Sequence, residues 1–287
     1  MEGIIIRALS GEFTVTDFDN TIEYTCKARG KLAYAKDQLK VGSKVIIDEK
    51  ELVITQLLKN KNTLVRPLIS NVDKMFVITS VVSPDLNLYL LDKMIAIYEY
   101  YDITPILLFT KLDLWDKDMA ELNNLFNYYR NMGYKVYTGS NKIFDREIQN
   151  EITGNICCVS GQSGVGKSTF LNFLSPMFQR KTDEISEALG RGKHTTRDAF
   201  LFRFNGGWIA DTPGFGNIEL PKMELNIIPF LFKDFESRNN CKYNNCTHTN
   251  EPHCAIVEEV NEGKILKSRY ENYQRFLQEV KQLNSRY

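Results

Sequence analysis

The segment Gly161-Gln162-Ser163-Gly164-Val165-Gly166-Lys167-Ser168 fits G-x-x-x-x-G-K-[ST] and constrains this chain more than any other stretch. Asn155–Ser160 before it is a short apolar run and reads as a buried parallel strand. Thr169–Leu174 after it reads as the first turns of a helix. Strand, glycine loop and helix form the context in which such a loop cradles a polyphosphate. The glycines let backbone N–H groups turn inward, and the helix adds its positive end. Lys167 is placed to reach the β- and γ-phosphates and Ser168 to hold Mg²⁺, and Thr169 closes the nucleotide-binding stretch. The plain alternative is a chance match in a glycine-rich turn.

Where the rest of the chain can go is bounded by its size. At 287 residues there is room for two or three domains, and 43% hydrophobic with 25% charged residues is ordinary globular composition. With 36 basic and 36 acidic residues there is no net charge, so any nucleic-acid contact must use local patches. The longest apolar runs, Met75–Val82 and Ile103–Phe109, are too short to span a bilayer. Met1-Glu2-Gly3-Ile4 lacks a signal peptide's positive start, so a cytoplasmic protein with no membrane partner is expected. Six cysteines in that setting point to metal or core positions, not disulfides.

Gly3–Leu9, Glu12–Asp17, Ile22–Arg29, Lys44–Asp48 and Leu52–Leu57 are rich in Val, Ile, Thr, Phe and Tyr and are punctuated by Gly and Asp. Five short strands in so few residues predict a small OB-like barrel. Arg29, Lys31 and Lys36 lie near a turn and could touch RNA phosphate, or simply be solvated. Lys59–Asn62 reads as a linker. Beyond Arg66-Pro67, strands at Lys74–Val82, Pro105–Thr110 and Tyr134–Thr138 alternate with helices at Leu86–Tyr101, Asp116–Met132 and Asp145–Ile152. That alternation predicts a mostly parallel sheet covered on both faces.

Thr110-Lys111-Leu112-Asp113 closes one of those strands and resembles [NT]-K-x-D. Guanine presents N1–H and the 2-amino group side by side, and the Asp113 carboxylate can accept from both. Adenine lacks that pair. The Lys111 stem would lie along the base, and Thr138–Asn141 could offer a backbone N–H to O6. After the P-loop, Gly190-Arg191-Gly192-Lys193-His194-Thr195-Thr196-Arg197 has the polar character of a first switch. Thr196, in preference to Thr195, would complete the Mg²⁺ shell. Asp211-Thr212-Pro213-Gly214 then matches D-x-x-G, with Asp211 on a Mg²⁺-bound water and the Gly214 N–H sensing the γ-phosphate. Ordinary GTPases place [NT]-K-x-D last. Here it precedes the P-loop, so the domain reads as circularly permuted.

The C-terminal part carries Cys241, Cys246, His248 and Cys254 in a C-x4-C-x-H-x5-C spacing. Three thiolates and one imidazole suit a closed, structural Zn²⁺ site. His253 is the rival nitrogen ligand. Cys26, Cys157 and Cys158 sit in strands and read as core. A long helix, roughly Glu258 to Leu283 and interrupted near Gly263, closes the chain.

These motifs together resemble the ribosome small subunit-dependent GTPase A family. Arg66-Pro67 with Asn71-Val72-Asp73, the Gly190–Arg197 stretch, Asp211–Phe215, and Glu251-Pro252-His253-Cys254-Ala255 carry the resemblance across nearly the whole length. It implies an α/β protein of three parts: an OB-like RNA-binding barrel over 1–65, a circularly permuted GTPase domain over 66–220 and a helical zinc-binding domain over 221–287. It further implies a monomer that binds GTP/GDP and hydrolyses GTP, is stimulated by the small ribosomal subunit, and contacts its rRNA during late subunit maturation. Two departures stand out. Thr110 replaces the commoner Asn, which contacts guanine N7, and His253 replaces a usual Gly. Phe215 follows Gly214 where many GTPases have a water-orienting Gln, so His194 is the local candidate for that role. The Mg²⁺ and phosphate groups would be held by Lys167, Ser168 and Thr196. Two other readings share some of these features: a P-loop kinase of small metabolites, and an RNA-binding module with a non-hydrolysing nucleotide clamp. Neither accounts for T-K-L-D and the cysteine cluster together.

Overall fold

The computed structural model describes residues 1–9, 11–19, 21–30, 32, 38–65, 67–176, 178, 199–211, 219–249 and 251–285. The first five strands are β1 (Glu2–Leu9), β2 (Glu12–Thr16), β3 (Glu23–Ala28), β4 (Lys44–Asp48) and β5 (Val53–Leu57). They close into a barrel in the order β1-β2-β3-β5-β4, and only the β3–β5 pairing is parallel. Alternate side chains point inward, so Ile5, Phe13, Val15, Cys26, Val45, Ile47 and Ile54 fill the interior. The barrel expected from the strand pattern is therefore present. Arg29 is ion-paired with Glu51 at 2.5 Å, while Lys31 and Lys36 lie outside the described residues.

Lys59–Asn62, expected as a linker, is a hydrogen-bonded joint. It leads into a two-strand ribbon, β6 (Thr63–Leu64) and β7 (Ile69–Ser70). Asn71 holds three segments at once. Its amide donates to Gly42 O at 2.9 Å and Asn60 Oδ1 at 2.8 Å, and its Oδ1 accepts from Lys61 N at 2.9 Å. Asn62 and Val72 exchange two further bonds, at 2.8 and 3.0 Å. Gly42 must be glycine here, because a Cβ would stand 2.2 Å from Ser70 O. Asp73 then ties the joint to the next sheet, accepting from Ile156 N at 2.7 Å and pairing with Lys61 at 2.6 Å.

That sheet contains β8 (Lys74–Ser80), β9 (Thr104–Thr110), β10 (Lys135–Ser140), β11 (Ile143–Phe144), β12 (Ile156–Ser160), β13 (Phe200–Phe204) and β14 (Gly207–Asp211). Its order is β11-β10-β9-β8-β12-β14-β13, parallel through the middle five strands and antiparallel at both edges. Strands buried on both faces need apolar residues at every position. In β8, Met75 and Val77 face the helices α1 (Leu88–Tyr100) and α2 (Met119–Asn131), through Leu91, Ile95 and Phe126. Phe76 and Ile78 face the opposite way, towards Phe170 and Leu174 of α3 (Lys167–Leu174). Asn87 caps α1 by accepting from Leu90 N at 3.0 Å, and Asp118 caps α2 through Ala120 N at 2.9 Å.

The barrel abuts edge strand β13, where the Arg7 guanidinium lies 5.6 Å from the Phe200 ring centroid. The closing helix, expected to break near Gly263, is divided there into α4 (Ala255–Asn261) and α5 (Lys267–Asn284). Gly263, at φ 76°, turns the chain between them. Phe232, Phe235, Tyr273, Phe276 and Leu277 form a core there that also takes Ala96 and Ile97 from α1. Helix α1 therefore packs the sheet on one side and the C-terminal helices on the other. Among the described residues no helix is long and apolar enough to cross a membrane.

Candidate nucleotide and metal sites

Strand order reverses at β8, which has β9 on one side and β12 on the other. Ligands of open α/β sheets bind outside the carboxyl ends of the strands at such a point. The P-loop leaves β12 there. Gly161, Gly164 and Gly166 take φ of 147°, 81° and 102°. A Cβ on Gly161 would stand 2.1 Å from Ile78 O, so only glycine lets the loop lie this close to β8. Gly166 begins α3, Val165 is buried beneath the loop, and Ser163 and Ser168 are exposed. Lys167 Nζ donates to Gly161 O at 2.7 Å and Gln162 O at 2.6 Å, which lays its charge across the loop. Burial lowers its pKa.

Thr110 ends β9 and is 3% exposed. Its hydroxyl donates to Val165 O at 2.7 Å, joining the T-K-L-D strand end directly to the P-loop. Lys111 turns the chain at φ 63°, and its ammonium reaches the Ser83 carbonyl. Asp113 Oδ1 accepts from Asn141 N at 2.7 Å. The acid and the loop after β10 are thus fixed against each other. The sequence holds no sign of the loop between β8 and α1, which closes through Ser80 Oγ donating to Pro84 O at 2.6 Å. Nor does it announce Tyr98, whose buried hydroxyl on α1 bonds Ser160 Oγ, just before the P-loop, at 2.6 Å.

His194, Thr195 and Thr196 lie outside the described residues, as do Arg191, Lys193, Thr212, Gly214 and Phe215. Asp211 is described as the last residue of β14, paired with Phe200, and its side chain is not described.

In the C-terminal part the ligand atoms of Cys241, Cys246, His248 and Cys254 all lie within 4.8 Å of one another. Cys241 Sγ and Cys254 Sγ are each 3.4 Å from His248 Nδ1 and 3.9 Å apart. A tetrahedron with ~2.3 Å metal–sulfur bonds has an edge of about 3.8 Å, so the donor set fits a four-coordinate ion. His248 is brought in and His253 is left exposed. Burial lowers the His248 pKa, which keeps a lone pair available. Burial and the crowding Cys254 and Cys241 thiols push the Cys246 thiol up to about 12, and a bound cation would act in the opposite direction. The knuckle is braced from α5: Tyr273 donates to Thr247 O at 2.6 Å and Tyr270 to His248 O at 2.9 Å. Cys26, Cys157 and Cys158 are buried in the cores, as expected.

A P-loop and a T-K-L-D strand end meeting at the switch point of a sheet wound in permuted order define the class: a circularly permuted P-loop GTPase fold with an N-terminal barrel and a C-terminal cysteine knuckle. The family model described as RsgA GTPase matches residues 53–221. The chain is 39% identical to the small ribosomal subunit biogenesis GTPase RsgA of Bacillus cereus, over 100% of this chain and 99% of that one. It is 38% identical to the protein of that name from Malacoplasma penetrans, over 98% and 100% of the two chains. Among solved structures it superposes on YjeQ from Thermotoga maritima with a TM-score of 0.83 and 31% identity, covering 97% of this chain and 98% of that one. YloQ, described as a circularly permuted GTPase, gives 0.79 at 33% identity and coverage of 98% and 95%. The chain belongs to the RsgA GTPase family.

Proposed function

We propose that this protein hydrolyses GTP to GDP and phosphate during biogenesis of the small ribosomal subunit, which it binds and which stimulates turnover. The observation that carries the reading is the Thr110–Val165 bond at 2.7 Å, with Asp113 anchored beside Asn141. A phosphate loop and a base-reading acid are joined into one site, and a small-metabolite kinase has no use for the second half. Asp113 selects guanine and Lys111 covers the base. The P-loop from Gly161 to Thr169 holds the phosphates, with Lys167 neutralising their charge. Ser168, Thr196 and Asp211 hold Mg²⁺, directly or through water, and the Gly214 N–H reports the γ-phosphate. That ion, when bound, neutralises charge on the β- and γ-phosphates.

His194 positions the attacking water once the subunit orders its segment, in place of the Gln that Phe215 supplants. The Cys241, Cys246, His248 and Cys254 site holds one structural Zn²⁺, since a closed set of three thiolates and an imidazole suits that ion. The barrel and the knuckle touch rRNA, and the protein works as a cytoplasmic monomer. The deciding measurement is phosphate release from GTP with and without purified small subunits. Release that subunits leave unchanged would count against the reading, and a preference for ATP would favour the kinase.

A further inference from the structure

Thr110 fixes how much of the purine this site reads. Its side chain is 3% exposed and ends in one hydroxyl. A hydroxyl carries a single proton, and an amide nitrogen carries two. The Thr110 proton is directed at Val165 O, 2.7 Å away, with Thr79 O at 3.4 Å as the only other acceptor near it among the described residues. An Asn at this strand end has protons for both a P-loop carbonyl and a base nitrogen. Thr has one, and it is spent on the P-loop. The neighbouring groups have other tasks: the Lys111 ammonium donates to the Ser83 carbonyl while its stem covers the base in the reading above, and Asn141 N donates to Asp113 Oδ1 at 2.7 Å. Asp113 can only accept, and N7 is itself an acceptor, so the acid cannot read it.

We infer that Thr110 keeps the tether between strand and P-loop but leaves N7 of the purine unread, so that the polar recognition of the base does not include that atom. This rests on the guanine reading above. It predicts a nucleotide site indifferent to replacement of N7 by carbon.

The test is competition for a fluorescent GDP by GDP, 7-deaza-GDP and IDP, using the full-length chain. The unmodified protein should bind 7-deaza-GDP within about twofold of GDP, because no hydrogen bond is lost. IDP, which lacks the 2-amino group, should bind about tenfold more weakly, the scale of a hydrogen bond to a charged acceptor. Thr110→Asn should gain about a fivefold preference for GDP over 7-deaza-GDP, one neutral hydrogen bond. A loss of more than about fivefold with 7-deaza-GDP in the unmodified protein overturns the inference, whether or not the variant folds. A folded Thr110→Asn protein that binds both alike overturns the placement of position 110 against N7. IDP binding as tightly as GDP would instead fail the guanine reading itself.

Discussion

Arg269, on the closing helix, meets Asp92, on the first helix of the nucleotide domain, at 2.5 Å, with side chains 1% and 2% exposed. The same guanidinium takes Asp234 at 3.2 Å and lies over the Phe232 ring at 4.5 Å. Burial works against the charge, and the two carboxylates outweigh it, so the arginine pKa is raised. Tyr129 and Asn272 also donate to Asp92, at 2.7 and 2.6 Å. Tyr128 donates to Asp234 at 2.9 Å. One buried cation thus holds α1, α5 and the segment before the knuckle together.

Replacing it strands two buried acids. Arg269→Met should cost about 3–5 kcal/mol of stability, the range for breaking a buried pair from one side. Denaturant unfolding measures it, and Asp92→Asn added to Arg269→Met should return part of the loss. A single variant as stable as the parent would show that the two acids need no counter-charge.

Asp113→Asn tests base choice. The amide oxygen can still accept from Asn141 N, so the loop should hold, while the NH₂ presents a donor where guanine also donates. GTP binding should fall by tenfold or more, on the order of a charge-assisted hydrogen bond, and xanthosine triphosphate should be preferred. Titration of both nucleotides decides it. Unchanged GTP selectivity would remove Asp113 from the site.

The proposed zinc can be counted. Cys246→Ser should lose about one zinc equivalent and loosen the C-terminal helices, because metal binding and folding are linked. Elemental analysis with thermal unfolding reads both. His253→Ala should keep its zinc, since that side chain is exposed and outside the cluster.

Acid should attack the foot of the sheet. Burial would raise the Glu151 pKa, but hydrogen bonds from Lys135 at 2.7 Å, Lys74 at 2.9 Å and Tyr137 at 2.8 Å hold it down at about 2. A carboxylate depressed in the folded state stabilises the fold above its unfolded pKa and loses that stability as pH falls through the folded value. The window is from about 4.5 down to about 2, and the stake is up to about 3 kcal/mol. Glu151→Gln should flatten stability across that window, as urea unfolding at several pH values would show. An unchanged slope would assign the acid sensitivity elsewhere.

Catalysis is tested on His194→Ala. At saturating small subunit the maximal rate should fall on the order of a hundredfold with subunit binding retained, the scale of a positioned acid–base group. Weakened binding with the maximal rate intact would make His194 an RNA contact.

The sequence by itself determined the pieces whose chemistry is local. Gly161–Ser168 reads as a phosphate loop because its turn permits few residue types, and Lys111 with Asp113 are legible as a candidate base-reading pair because guanine's paired donors call for an acid. The barrel strands are legible from their alternation, and the Cys241–Cys254 spacing from what a metal needs. Only the tertiary structure decided what depends on residues far apart in the chain. His248 was separated from His253 by which ring the knuckle folds inward, a matter of backbone path. The Lys59–Asn62 segment is polar as a linker is, and it became a joint because Asn71 and Gly42 meet it there. Thr110 gained its meaning from Val165, 55 positions away. Arg269 lies on the same helix stripe as Tyr273, Phe276 and Val280, where a charge among apolar residues was the one visible hint. Its partner Asp92 is 177 positions away, and no local pattern can report a contact that only packing creates.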